Sequence, residues 1–268
     1  NYTSAQETHE LEEPLPNLNP TLSPGLPTGF NLKDYQEEAY RNWILNGSVG
    51  LFAMATGTGK TITAINCAIE EYKKTSCYQI IICVPGIPLI HQWKNELYKF
   101  NFQNQIDSTE TNWKSTLEKK LLGMKLRPLS ESFVAVITYD ALKSKEFKKF
   151  KRLYKNELAS ILFIGDEVHN LGSPELIKDL PTEFKKRIGL SATPDRKYDD
   201  LGTLQLYNFF NVSSECFTAE YNMYDAIKNG VLSEFNYHPI FVTLEEDESK
   251  AYFEMTKKLS KFIDYTTG

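Results

Sequence analysis

Val49-Gly50-Leu51-Phe52-Ala53-Met54-Ala55-Thr56-Gly57-Thr58-Gly59-Lys60-Thr61 is the stretch on which the reading of the fold turns. Leu51 to Met54 is an apolar run of strand length, and it breaks at once into a glycine-containing loop. After Lys60-Thr61, apolar residues recur at Ile62, Ile65, Ala68 and Ile69, the spacing of one helix face. Strand, glycine loop and helix, in that order, form the context that a phosphate-binding loop requires. Glycines let the backbone turn tightly and aim N–H groups inward, and the helix adds its positive N-terminal end. In such a loop Lys60 reaches the outer phosphates of a nucleotide, and the Thr61 hydroxyl is a candidate Mg²⁺ ligand; the strict pattern has glycine where this chain has Met54.

The flanking sequence repeats the alternation. Lys33 to Ile44 carries a helical apolar stripe at Tyr35, Ala39, Tyr40 and Trp43, stopped by Asn46-Gly47. Gln79–Val84 reads as a buried β-branched strand ending at Pro85-Gly86, with a helix from Pro88 to Phe100. Residues 101–130 are polar, with a weak helical pattern at 113–124. Phe133–Ile137 is a further strand opening at Thr138-Tyr139 into a helix, Ile161–Ile164 another ending at Asp166-Glu167, and Lys186–Leu190 another running into Ser191-Ala192-Thr193-Pro194. Short buried strands alternating with helices predict an α/β fold with a doubly wound, mostly parallel sheet flanked by helices. The motifs follow strands, where such sheets bind ligands.

Asp166-Glu167-Val168-His169 closes one of these strands. Two adjacent carboxylates at a strand end suit phosphoryl transfer, which needs positioning and charge neutralisation. Asp166 is the candidate for holding Mg²⁺, directly or through water, and Glu167 for orienting and deprotonating the attacking water. Trp93 shares a helical face with Leu89 and Leu97 and reads as core. Lys143 to Lys155 holds seven basic residues in thirteen, which would either attract nucleic acid or form a solvated helix face.

The 268-residue length, 41% hydrophobic and 24% charged content describe a globular chain of one or two domains. A net charge of −5 argues against a general basic coat but leaves room for a local basic groove. The four cysteines have no metal-ligand spacing, no apolar run approaches membrane-spanning length, and a reducing cytoplasm is the expected location. Residues 1–30 contain five of the twelve prolines among polar residues and read as a flexible linker.

Taken together, these motifs resemble the first motor domain of superfamily 2 helicases and translocases. The phosphate loop resembles their motif I, Asp166-Glu167-Val168-His169 their motif II, Ser191-Ala192-Thr193 their motif III, and Val84–Trp93 their motif Ia. Leu32-Lys33-Asp34-Tyr35-Gln36 is similar to the adenine-reading segment of the branch holding XPB-type and restriction-subunit motors, which usually has Arg in place of Lys33. The resemblance implies a RecA-like domain that binds Mg·ATP through Lys33, Gln36, Thr56, Gly57, Thr58, Gly59, Lys60 and Thr61. It implies that His169 is coupled to the Ser191 and Thr193 hydroxyls. It also implies that Pro85, Gly86, Thr138 and Tyr139 touch the phosphates of one DNA or RNA strand.

The expected organisation is a linker at 1–30, an ATP-binding motor domain at 31–215, and a connecting segment at 216–268 leading toward a second motor domain. That segment reads as a helix stopped at Gly230, a strand near Tyr237–Leu244 and a helix from Glu246. The linker would suit an upstream nuclease or recognition module. The expected function is ATP-driven movement on DNA. The competing readings are an RNA helicase and a nucleotide-gated binding module that does not hydrolyse ATP.

Overall fold

The computed structural model of the chain describes residues 23–195 and 199–260. Its centre is a seven-stranded sheet in the order β3-β4-β2-β5-β6-β1-β7, with every adjacent pair parallel. The strands are β1 Val49–Met54, β2 Gln79–Val84, β3 Gln105–Asp107, β4 Phe133–Thr138, β5 Leu162–Asp166, β6 Lys186–Ser191 and β7 Ala219–Tyr221. β2, Gln-Ile-Ile-Ile-Cys-Val, is buried at all six positions, as a strand covered on both faces must be.

The pleat sends alternate side chains to two cores. Ile80, Ile82 and Val84 join one that includes Trp43, Ile65 and Trp93, from α1 Asp34–Leu45, α2 Lys60–Thr75 and α3 Ile87–Lys99. Ile81 and Cys83 join the other. It is covered by α4 Trp113–Leu126, α5 Tyr139–Lys143, α6 Lys145–Leu153, α7 Lys155–Ser160, α8 Pro174–Ile177 and α9 Asp200–Phe210. The elements expected from residue 32 to Thr193 are present.

The differences from the sequence reading are local. β3 lies inside the stretch read as polar, and β7 lies beyond the domain boundary expected at residue 215. At three residues each, neither is long enough to show a period. Residues 23–30 of the expected linker pack on the domain: Gly25 N–H donates to the Phe100 carbonyl at 3.1 Å, and Phe30 meets the Phe100 ring edge-on at 5.8 Å. The first 22 residues of that linker lie outside the described residues.

The chain divides into a unit ending at Leu232 and a smaller one from Ser233. The larger unit closes with α10 Met223–Lys228. The smaller one contains α11 Glu246–Ser260, while the expected strand at Tyr237–Leu244 is absent. A short apolar run is insufficient for a strand when the described residues of its own unit offer no second strand to take the backbone hydrogen bonds.

Candidate functional site

The carboxyl ends of β1, β2, β4, β5 and β6 form one rim. The register pairs Ala53 with Ser191, Asp166 with Leu190, Cys83 with Gly165, and Val84 with Thr138. Motifs scattered over more than a hundred residues of chain are thereby brought side by side.

At β1 the rim begins with the glycine loop. Gly57 and Gly59 have φ of +84° and +86°, a region that L side chains rarely adopt. Gly59 is the N-cap of α2, so Lys60 and Thr61 open the helix whose N–H groups face the loop. The loop is braced from within: Thr58 is buried and its hydroxyl donates to the Ala55 carbonyl at 2.6 Å. The Thr63 hydroxyl donates to the Gly59 carbonyl at 3.0 Å. Thr56 and Gly57 are exposed, and Thr61 is half-buried. Lys60 Nζ donates to the Met54 carbonyl at 3.1 Å. Burial lowers the Lys60 pKa, and the opposing influences that favour its charge are Glu167 and Asp166. The cation from one motif and the two carboxylates from the other therefore share one electrostatic environment.

At β5 the Asp166 carboxylate is buried and held at both oxygens. Oδ2 accepts the Trp93 indole N–H at 2.8 Å, and Oδ1 accepts the Glu167 N–H at 3.0 Å. Burial pushes the Asp166 carboxyl above its ordinary value; the Trp93 and Glu167 bonds and the Lys60 charge act against that rise. Glu167 sits in the left-handed region at φ 49°, ψ 55°, a conformation that costs a non-glycine residue on the order of 1 kcal/mol. It begins the short 3₁₀ turn Val168–Asn170, and its Oε2 lies 3.4 Å from His169 Nδ1. Asn170 Nδ2 donates to the Glu167 carbonyl at 2.9 Å and lies 3.2 Å from His169 Nε2. At β6 the buried Ser191 hydroxyl accepts the Thr193 N–H at 3.2 Å, and the Thr193 side chain is exposed.

Two of the expected site residues have buried side chains. Gln36 is one of them. Its Oε1 accepts the Lys33 N–H at 3.0 Å, and its Nε2 is 3.5 Å from the Gly59 carbonyl, so the amide braces α1 and the loop. Lys33 itself is exposed. Tyr139 is also buried, with its hydroxyl donating to the Asp166 carbonyl at 2.8 Å, so its side chain is not presented to a nucleic-acid strand. Both residues follow a motif in sequence, but helix periodicity turns their side chains inward. Pro85 is exposed and Gly86 half-buried at the end of β2, and the Thr138 hydroxyl caps α5 by accepting the Ala141 N–H at 3.1 Å.

Four of the seven basic residues in the run pair with acids. Lys143 lies 2.9 Å from Asp140 and 3.2 Å from Glu175, Lys149 3.0 Å from Glu118, and Lys151 2.5 Å from Asp179. This is the paired, solvated-face reading of residues 143–155.

Some residues at the rim have no sequence motif. Tyr221 stacks on Tyr35 with ring centroids 3.9 Å apart, its carbonyl accepts the Ala55 N–H at 2.8 Å, and the Tyr35 hydroxyl donates to the Thr58 carbonyl at 2.8 Å. Leu232 Cδ2 would lie 3.0 Å from a Cβ placed on Gly57. For Trp93 a signal did exist: a buried indole N–H needs an acceptor.

Among the described residues no group of three or more His, Cys, Asp or Glu side chains could hold a metal. A threonine hydroxyl and one carboxylate are a poor complete cage. They suit Mg²⁺, which takes one or two protein oxygens and keeps waters and phosphate oxygens for the rest.

A family model described as "Type III restriction enzyme, res subunit" matches residues 29–196. The DNA 3'-5' translocase XPB2 of Sulfurisphaera tokodaii is 29% identical over 243 residues, covering 87% of this chain and 45% of that protein. The DNA 3'-5' helicase XPB of Mycobacterium tuberculosis is 27% identical over 165 residues, covering 62% of this chain and 27% of that protein. The chain thus spans less than half of these relatives. Among solved structures, the ATP-dependent Type ISP restriction-modification enzyme LlaBIII bound to DNA superposes with a TM-score of 0.55 at 16% identity, over 76% of this chain and 16% of that one. The SWI2/SNF2 ATPase core of Sulfolobus solfataricus in complex with dsDNA gives 0.50 at 23%, over 71% and 37%. Both structural likenesses concern the fold.

Proposed function

The chain belongs to the family of type III restriction enzyme res subunits, and on that premise we propose that it is the first, ATP-binding motor domain of a superfamily 2 DNA translocase or helicase. The observation that carries the proposal is the placement of Lys60, at the start of α2 after β1, and of Asp166 and Glu167, at the end of β5, on one rim of the sheet. A nucleoside triphosphate at the glycine loop would meet the N-terminus of α2 and the Lys60 ammonium, both of which favour its negative charge.

Thr61 and Asp166 would hold a Mg²⁺ ion, which when bound supplies charge neutralisation at the transferring phosphate. Glu167, with its backbone fixed in the left-handed region and its carboxylate near His169, is suited to orient a water and take its proton. His169, Ser191 and Thr193 lie along the same rim and are proposed to pass the state of the nucleotide onward. The exposed Pro85 and Gly86, with the backbone at Thr138, offer a sequence-blind track for a strand's phosphates. Tyr139 contributes its backbone there and not its ring.

DNA is favoured over RNA because the relatives bear the names of DNA translocases and helicases. Turnover and movement are proposed for the whole protein, of which a second motor domain and an upstream nuclease or recognition module would be parts. Residence in a reducing cytoplasm belongs to the same proposal; the buried cysteines Cys67, Cys77 and Cys83 are free thiols, and no helix among the described residues is long and apolar enough to cross a membrane.

The test is phosphate release by the full-length protein at saturating ATP with duplex DNA, with RNA and with neither. Stimulation by duplex DNA is expected. Stimulation by RNA alone would favour the RNA-helicase reading, and nucleotide binding with no turnover under any condition would favour a gated binding module.

A further inference from the structure

Two buried aromatic donors reach Asp166 from the two segments proposed to track the nucleic acid. Trp93 lies on α3, the helix that follows Pro85-Gly86, and gives its indole N–H to Asp166 Oδ2 at 2.8 Å. Tyr139 opens α5 directly after Thr138 and gives its hydroxyl to the Asp166 carbonyl at 2.8 Å. The rings are 1% and 5% exposed, so neither can be exchanged for water without opening the core. The approach of Tyr139 also depends on its neighbour: a Cβ on Gly165 would stand 3.2 Å from the Tyr139 hydroxyl and 2.8 Å from Val168 Cγ1.

A free aspartate rotates about its last torsion and can offer either oxygen. Here Oδ2 is held by Trp93, Oδ1 by the Glu167 N–H, and the backbone of the same residue by Tyr139. We infer that Trp93 and Tyr139 are positioning residues, which fix the Asp166 carboxylate in the orientation that receives the nucleotide-bound cation and tie it to the strand-end segments on α3 and α5. The inference rests on the reading of Asp166 as a Mg²⁺ ligand. Trp93 acts on the carboxylate itself and Tyr139 on its main chain, so the larger effect belongs to Trp93.

The experiment measures binding of a fluorescent ATP analogue to the 268-residue chain, as a function of Mg²⁺ and separately in EDTA, for Trp93→Phe, Tyr139→Phe, Asp166→Asn and the double variant Trp93→Phe/Asp166→Asn. At Tyr139, Phe keeps the ring and removes only the donor; at Trp93 it removes the indole N–H together with part of the ring volume, so metal-free affinity serves as the packing control. Trp93→Phe is expected to raise the Mg²⁺ concentration for half-maximal binding by about 10–100-fold, the scale for an outer partner of a metal ligand, and to leave metal-free affinity within about twofold. Tyr139→Phe should shift it in the same direction by less, and it carries the test if Trp93→Phe loses its helical circular dichroism. The double variant should be no worse than Asp166→Asn, because Trp93 then has no carboxylate to hold.

Equal loss of metal-free and metal-dependent affinity in Trp93→Phe, or full additivity with Asp166→Asn, would reduce Trp93 to core packing and overturn the inference. An unchanged Mg²⁺ requirement in Asp166→Asn would overturn the assignment of Asp166 itself, an outcome distinguishable from the first.

Discussion

The two ends of the same parallel sheet use charge in opposite ways. At the amino-end rim, Glu71 on α2 sits 2.5 Å from Lys186 at the start of β6 and 2.6 Å from Lys74. Burial raises the Glu71 carboxyl, but the bonds from the two lysines outweigh it and hold the value below the ordinary one. At the carboxyl-end rim, burial shifts Lys60 down and Asp166 up, each away from its charged form. The charges of the first rim are satisfied within the fold and contribute to stability. Those of the second are held at some cost of burial. A perturbed pair in a cleft is a functional-site signal for that reason, and a paired one is not.

The sharpest way to break this contrast is to remove the proposed base. Glu167→Gln keeps the shape and the hydrogen-bonding capacity; in the full-length protein it should leave ATP binding intact and slow hydrolysis by about 10²–10⁴-fold. Phosphate release within a few-fold of the parent would move the base elsewhere.

Lys60→Ala comes next. ATP affinity should fall by about 10–100-fold, the equivalent of losing a charge-assisted contact, measured by calorimetric titration. Because Lys60 is desolvated in the free protein, its removal should leave the melting temperature of the nucleotide-free chain unchanged or slightly higher. Equal ATP binding by mutant and parent would remove the glycine loop from the site.

The opposite rim should respond in the opposite sense. Glu71→Gln should cost about 1–2 kcal/mol of stability, moderated by solvent around the two lysines, with ATP affinity unchanged. Its carboxyl is depressed in the folded state, so its contribution is present above the unfolded value near 4.5 and is lost as pH falls through the folded value. Parent and variant melting curves should therefore converge in acid. A gap that persists undiminished as pH falls below the ordinary carboxyl value would assign the effect to packing.

The smallest change is expected in the basic run. Lys149 is paired with Glu118. Lys149→Ala should alter DNA affinity by less than about twofold at moderate salt, read by fluorescence anisotropy. A loss of tenfold or more would restore the run to the nucleic-acid track.

Much of the site was legible because its signals are local. Gly57, Gly59 and Lys60 lie within four residues, Asp166 and Glu167 are adjacent, and each group follows a strand that its own apolar run announces. The strength of the parallel-sheet reading came from β2 and β4, whose near-continuous apolar composition fits burial on both faces. The expected strand at Tyr237–Leu244 failed because an apolar run such as Ile240-Phe241-Val242 says nothing about whether a partner strand exists. For Gln36 and Tyr139 the sequence located the segment but not the burial of the side chain. Each sits at a helix start, where a shift of one residue rotates a side chain by about 100° from the ligand side to the core.

By itself the sequence determined the five longer strands with their intervening helices, the glycine loop and the carboxylate pair, since each is encoded in a window of a few residues. Only the tertiary structure decided the strand order β3-β4-β2-β5-β6-β1-β7, the short edge strands β3 and β7, the pairing of the basic run, and the bond from Trp93 to Asp166 across 73 residues of chain. Hydrophobic periodicity specifies that a face is buried without naming the neighbour that buries it. A hydrogen bond between distant residues exists only once the sheet has fixed which strand ends stand side by side.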